Sequence, residues 1–419
     1  MVLLNKIIWS IAIGLIIINS IYFSIKLKGP QFRLFKIITS IKRTKQSASI
    51  TPFDTLVMTL SSKIGVGSLS GAALSIYYGG IGTIFWMFIS SFFLSIINYL
   101  ENMLSIIYKD NKINKSGPFY YIRYGLNKKN LSVVYAILIL ITYTFLFSSI
   151  QTNTITTISY GMYSISKVFL SLLIVSISGI IILKGIKTIS NICNKIFPIM
   201  MLFFIIVGIV IIVKTINDFP IIISEILKEA FNIKAISGGI IYTVIIAFQR
   251  CVFACEAGVG TSAIIAGTTE SKNYKLQANL GLIQTYFINF IILGILSFII
   301  ITSNVQNISI INGIELTREA FRYHLGNLGD DILLIILSLF SFSTIITVYN
   351  YIESSIKFLT KSKKVQRIFL YCFLISLFFG GIITATIIWK MIDIMLGIIT
   401  IINMYAIYKL RKIIILKAK

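Results

Sequence analysis

Residues 63–73 read KIGVGSLSGAA, and residues 248–267 read FQRCVFACEAGVGTSAIIAG. Each lies inside a long apolar stretch, where a plain spanning helix would use Leu and Ile. Each carries Gly-Val-Gly followed by a hydroxyl: Gly65-Val66-Gly67-Ser68 and Gly258-Val259-Gly260-Thr261. Glycine inside a helix costs about 1 kcal/mol relative to alanine. Small residues can serve close helix packing, and Gly67 and Gly71 have that spacing. The paired occurrence points instead to two helices that are interrupted within the membrane.

The surrounding chain requires a membrane. Of its 419 residues, 57% are hydrophobic and 12% charged, with a mean hydropathy of +0.92. Apolar runs of roughly 20 residues, enough to cross a ~30 Å hydrocarbon core, recur throughout. They place spans near 3–25, 51–79, 82–107, 131–162, 167–184, 196–214, 236–265, 277–303, 331–357, 368–389 and 391–410. The first span is too long for a signal peptide and lacks a small-residue cleavage site.

The net charge of +24 is not a nucleic-acid signature. Most of the Lys and Arg fall in alternate connections, including Lys26, Lys28, Arg33, Lys36, Lys42, Arg43 and Lys45 after the first span. By the positive-inside rule that set is cytoplasmic, with the N-terminus outside and the C-terminus inside. Cys193, Cys251, Cys255 and Cys372 lie in apolar segments without CxxC spacing, which argues against a disulfide framework or zinc site. The single His324 is read as lying in a polar loop with no ligand cluster.

The two glycine segments lie five spans apart and so cross in opposite directions. The expected fold is all-α: a five-plus-five inverted repeat with one extra N-terminal helix, about eleven transmembrane helices in all. The expected divisions are 1–50 (first helix and basic loop), 51–214 and 215–412 (the repeats), and a tail at 413–419. A broken helix exposes N–H groups that suit a carboxylate, and carbonyls that suit Na⁺. Ionisable residues inside spans cost about 2.5–3.5 kcal/mol at a helix centre unless paired or wet. Lys63, Glu101, Arg250, Glu256 and Glu353, with Asp54 nearer the cytoplasm, are read as gating or structural charges. Asp54 with Lys63, and Arg250 with Glu256, are the expected pairs. Gln151 and Asn153 are expected to face a cavity. Ser343 and Thr344 offer hydroxyl oxygens, or a back-bond within their own helix.

Further motifs lie between and beyond the breaks. GGIGTIFWMF spans 79–88, with Glu101 further along the same helix, and SGPFYYIRYGL spans 116–126. Gln151-x-Asn153, GIKTIS at 185–190 with Pro198, and FSFST at 340–344 with Glu353 follow. Together with IGVGSLSGAA and RCVFACEAGVGTS they resemble the sodium:alanine symporter family over most of the chain and in order. The resemblance implies a leucine-transporter-like fold and Na⁺-driven uptake of alanine or glycine in a bacterial plasma (inner) membrane. The sequence shows no metal cluster, no Ser/His/Asp set and no phosphate-binding loop, so neither an enzymatic activity nor a cofactor is expected. The resemblance implies a substrate at Gly65, Val66, Gly67 and Ser68, with Gln151, Asn153, Phe253, Glu256, Gly258, Gly260 and Thr261 around it. It further implies Na⁺ at Ile64, Ser343 and Thr344. The chain departs from the family pattern at Val66, Ser68, Ala254, Cys255 and Val348. A proton-coupled amino-acid transporter, with Lys63 or Glu256 titrating, and a non-transporting receptor or scaffold on the same fold are the alternative readings.

Overall fold

The computed structural model describes residues 2–33, 50–232, 239–303, 305, 313–384 and 386–418. Lys36, Lys42, Arg43 and Lys45 of the basic connection, and the start of the span expected at 236–265, lie outside the described residues. Among the described residues the chain is helical and contains no strand. Asp110 and Lys115 exchange backbone hydrogen bonds across one tight loop.

In chain order the main helices are α1 (Val2–Lys26), α2 (Pro52–Lys63), α3 (Val66–Gly79), α4 (Thr83–Ile107), α5 (Lys129–Tyr163), α6 (Lys167–Leu183), α7 (Ile186–Lys214), α8 (Phe219–Ala230), α9 (Gly239–Cys255), α10 (Thr261–Ala266), α11 (Tyr274–Thr302), α12 (Gly313–Leu325), α13 (Asn327–Leu359), α14 (Lys363–Gly380), α15 (Thr386–Lys409) and α16 (Arg411–Ala418). Seven are long and apolar enough to cross a membrane: α1, α4, α5, α7, α11, α13 and α15. The segments at 51–79 and 239–266 are each split into two shorter helices, the first at 64–65 and the second at 256–260. His324 sits on α12 rather than in a loop, with Nε2 3.0 Å from both the Ile299 carbonyl and the Thr302 hydroxyl.

Local chemistry sets the ends that matter. α2 starts in a reciprocal cap: Asp54 N–H donates to Thr51 Oγ1, and Thr51 N–H donates to Asp54 Oδ2, with Pro52 in the first turn. Close packing uses small residues against polar ones. A Cβ at Gly281 of α11 would lie 2.6 Å from the Asn98 carbonyl of α4, and Asn98 Nδ2 donates to the Gly281 carbonyl at 2.9 Å. The first helix docks on the last long one: Trp9 Nε1 donates to the Asp393 carbonyl at 3.0 Å, and Gly397 leaves room for Ile8.

Candidate functional site

α2 stops at Lys63 because Ile64 and Gly65 leave helical geometry; Gly65 is fully extended and α3 resumes at Val66. The break is held from two sides. Val66 N–H donates to Gln151 Oε1 at 3.0 Å. Thr344 Oγ1, on α13, bonds to the Ser61 carbonyl at 3.0 Å and the Ile64 carbonyl at 3.3 Å. Ser343 Oγ lies 3.4 Å from the same Ser61 carbonyl. A Cβ at Gly65 would lie 2.6 Å from Thr344 Oγ1 and 2.7 Å from Gln151 Oε1, so the absence of a side chain is what lets α5 and α13 reach the backbone. Ser68 Oγ bonds back to the Lys63 carbonyl at 3.0 Å. Gln151, Ile64, Ser343 and Thr344 thus converge with Gly65 and Val66 at one point. Both α13 hydroxyls also make the expected back-bond to the Phe340 carbonyl.

The second break is a turn of positive φ at Glu256 (49°), Gly258 (98°) and Gly260 (81°). A β-carbon resists this conformation, so Glu256 must be held there. Its carboxylate accepts from Tyr143 at 3.0 Å, Thr261 at 2.5 Å and Tyr351 at 3.4 Å. Tyr143 lies in a π-helical turn of α5, at 142–147. Glu101 of α4 accepts from Gly258 N–H at 2.9 Å and from Asn403 Nδ2 at 2.7 Å. Asn403 also donates to the Gly258 carbonyl at 2.9 Å. Tyr135 donates to the Val259 carbonyl. Six side chains therefore secure one irregular loop, and Glu101 is one of its fasteners.

Both expected charge pairs are replaced by others. Arg250 pairs not with Glu256 but with Asp393 of α15, at 3.0 Å, because three hydroxyls already occupy Glu256. Asp54 is used by its cap and by Asn194, whose Nδ2 donates at 2.7 Å. Lys63, fully buried, instead crosses to the second break and donates to Ser262 Oγ. Glu353 binds Lys115 at 2.7 Å and Lys357 at 2.6 Å. Asn153 is not at the break: two residues beyond Gln151, it points to another side of α5 and donates to the Gly380 and Ile383 carbonyls.

A cavity of about 310 Å³ opens on the side where α3 ends and α9 begins, lined by Ser70, Leu74, Asn153, Arg250, Trp389 and Asp393 among others. Trp389 stacks on Phe253, ring centroids 5.4 Å apart, and Phe253 in turn covers Gly67, where a Cβ would lie 2.6 Å from the ring. The aromatic pair separates the cavity from the first break. On the opposite side Lys115 pairs with Glu353, Asn114 Nδ2 donates to the Thr268 carbonyl at 2.8 Å, and Lys109 donates to the Thr269 carbonyl. Asp393, Asn403, Tyr143, Tyr351 and Trp389 were not anticipated from sequence. Asp393 gave a usable signal, an acid within the predicted span 391–410; the aromatics gave none.

Two helices broken in mid-course and held by polar side chains, with a cavity beside them, are an arrangement suited to a membrane transporter. The known proteins agree. Residues 1–419 match the sequence profile of the sodium:alanine symporter family, and the chain belongs to that family; it is a transporter and not an enzyme. It is 30% identical to the probable sodium/glutamine symporter GlnT of Bacillus subtilis (strain 168), over 98% of this chain and 87% of that one. It is 28% identical to the amino-acid carrier protein AlsT of the same organism, over 96% and 87%. It is also 28% identical to the sodium/proton-dependent alanine carrier protein of Bacillus sp. (strain PS3), over 90% and 89%. The fold resembles that of the Eremococcus coleocola manganese transporter, with a TM-score of 0.54 at 11% identity, covering 86% of this chain and 76% of that one.

Proposed function

We propose that the chain couples Na⁺ to the uptake of a small neutral amino acid, alanine or glycine, by alternating access. The observation that carries this reading is the convergence at the first break: Gln151 on the Val66 N–H, and Thr344 on the Ser61 and Ile64 carbonyls. The start of α3 is an N-terminus suited to a carboxylate, which would take over the Val66 N–H now held by Gln151, with Gly65 and Gly67 giving backbone access. The carbonyls at the end of α2, with the Ser343 and Thr344 hydroxyls, are hard oxygen donors suited to Na⁺. Phe253 and Trp389 form the lid over the substrate, and Arg250–Asp393 the outer gate. Glu256, Gly258, Gly260 and Thr261 shape the facing wall rather than binding through a free carboxylate. Asn153 acts on the outer path.

In this reading α2–α7 and α9–α15 form the two five-span repeats, each opening on a broken helix, with α1 added before them. The chain lies in the bacterial inner membrane with its N-terminus outside. A proton-coupled version is favoured by one observation, the buried Lys63 ammonium bonded to Ser262 Oγ, next to the Thr261 that binds Glu256. Uptake of labelled alanine and glycine into proteoliposomes separates the readings. Accumulation with an inward Na⁺ gradient alone supports the symporter. Accumulation with a proton gradient alone replaces the cation. Binding without accumulation in either case would favour a receptor on the same fold.

A further inference from the structure

We propose a phospholipid site, selective for anionic head groups, in the groove between α1, α5 and α15. The groove has a volume of about 520 Å³. Its walls are apolar but for Asn19 of α1: Leu15 and Ile18 from α1, Leu131 from α5, and Ile401, Ile402 and Met404 from α15. Its mouth is not. Lys128 donates to the Tyr405 hydroxyl at 2.7 Å and lies over the same ring, 4.9 Å from its centroid. Lys409 approaches that ring at 5.7 Å, and Arg411 covers Tyr408 at 4.5 Å. Three cations are thus gathered on two tyrosine rings. Among the described residues, none of the ion pairs involves Lys128, Lys409 or Arg411.

The occupant follows from the order of these chemistries along one groove. An apolar trench on the outer face of spanning helices is reached from the bilayer, so its filling is an acyl chain. Tyrosines and lysines at its end mark head-group depth. Unpaired cations between helices at that depth attract an anionic head group, about fivefold in affinity for each cation. A free phosphate would use the mouth and leave the trench to other lipids; a zwitterionic lipid would use the trench and gain nothing from the lysines. Both features together select a lipid such as phosphatidylglycerol. The occupant would rest on α15, the helix that carries Asp393 and Asn403.

The test uses the full chain, reconstituted in equal phosphatidylglycerol and phosphatidylcholine with matched acyl chains, then re-extracted, with the retained lipid quantified by mass spectrometry. The wild type is expected to retain phosphatidylglycerol about fivefold or more over phosphatidylcholine. Lys128→Gln with Lys409→Gln should abolish that preference while leaving total bound lipid nearly unchanged. Ile402→Trp, which fills the trench, should lower both lipids. Equal retention by the wild type, or a preference that survives loss of both lysines, overturns the proposal. A preference lost on addition of inorganic phosphate but untouched by Ile402→Trp would mean an anion site alone and also overturns it. Arg411→Gln provides a second variant if the double substitution fails to fold.

Discussion

At the scale of single residues, the breaks work because certain side chains are missing and others are fully occupied. Gly67 has the Phe253 ring where its Cβ would be, at 2.6 Å. Gly67→Ala must therefore move a ring already stacked on Trp389, an overpacking cost of about 1–3 kcal/mol. Uptake should fall about tenfold or more, whereas Gly14→Ala, with nothing within 4 Å, should transport normally. Unchanged uptake by Gly67→Ala would show that the ring is free to leave. Glu101 is a second case. Glu101→Leu leaves the buried Gly258 N–H and an Asn403 N–H without their acceptor, at a cost of roughly 1–3 kcal/mol each, and should lower the melting temperature of the purified protein. A stable variant that merely transports poorly would give Glu101 a gating role instead. The sequence pointed to Gly65, Gln151 and Thr344 because polar or helix-weakening residues stand out in apolar runs. It could not show which partners would meet, since pairing depends on how helices far apart in the chain rotate about their axes. Lys63 had an acid nine residues earlier, yet the groups it reaches are about 200 positions away.

At the scale of elements, α15 is the least expected contributor. It supplies Asp393 to Arg250, Trp389 to Phe253 and Asn403 to the second break. These residues recur on a helix rising about 1.5 Å per residue, so one element touches the Arg250 pair, the aromatic stack and the second break. Asp393→Asn leaves the buried Arg250 without its counter-charge, which costs roughly 3–5 kcal/mol in such pairs. That variant should lose both thermal stability and uptake. Adding Arg250→Met should restore much of the stability but not a gate that closes. Recovery of full uptake by the double variant would remove the pair from the transport cycle. The two interrupted segments were legible as elements because glycine and hydroxyl residues recur at matching places in each. The π-helical turn that aims Tyr143 was not legible, since 142–147 reads TYTFLF and no residue in it breaks a helix.

At the scale of the whole molecule, a cavity lies beside Arg250 and Asp393, and polar contacts of Lys109, Asn114 and Lys115 fasten the far side. Part of that fastening responds to pH. Burial holds the half-buried Lys109 ammonium down at about 8, against an ordinary value of 10.5. Between those values the closed form has shed its proton while the released form keeps it, so the closed form gains stability as pH rises from about 8 towards 10.5. Below that window its charge opposes closure. Hydrogen exchange of residues 266–271 should slow across this interval beyond the intrinsic base-catalysed trend, and the excess should vanish in Lys109→Met. An equal excess in that variant would assign the effect elsewhere. The membrane-spanning character of the chain was plain from its apolar runs and its alternating basic connections. Which side would stand open was not, because both conformations of a transporter satisfy the same sequence. The first helix, finally, is tied by Trp9 to the peptide carbonyl of Asp393 and rests in the notch left by Gly397. The helix that carries Asp393 is thus tethered to α1. If Asp393 and Arg250 part during transport, as proposed, α15 must either carry α1 along or break the Trp9 bond, so the freedom of α1 in the bilayer would set how far α15 can travel.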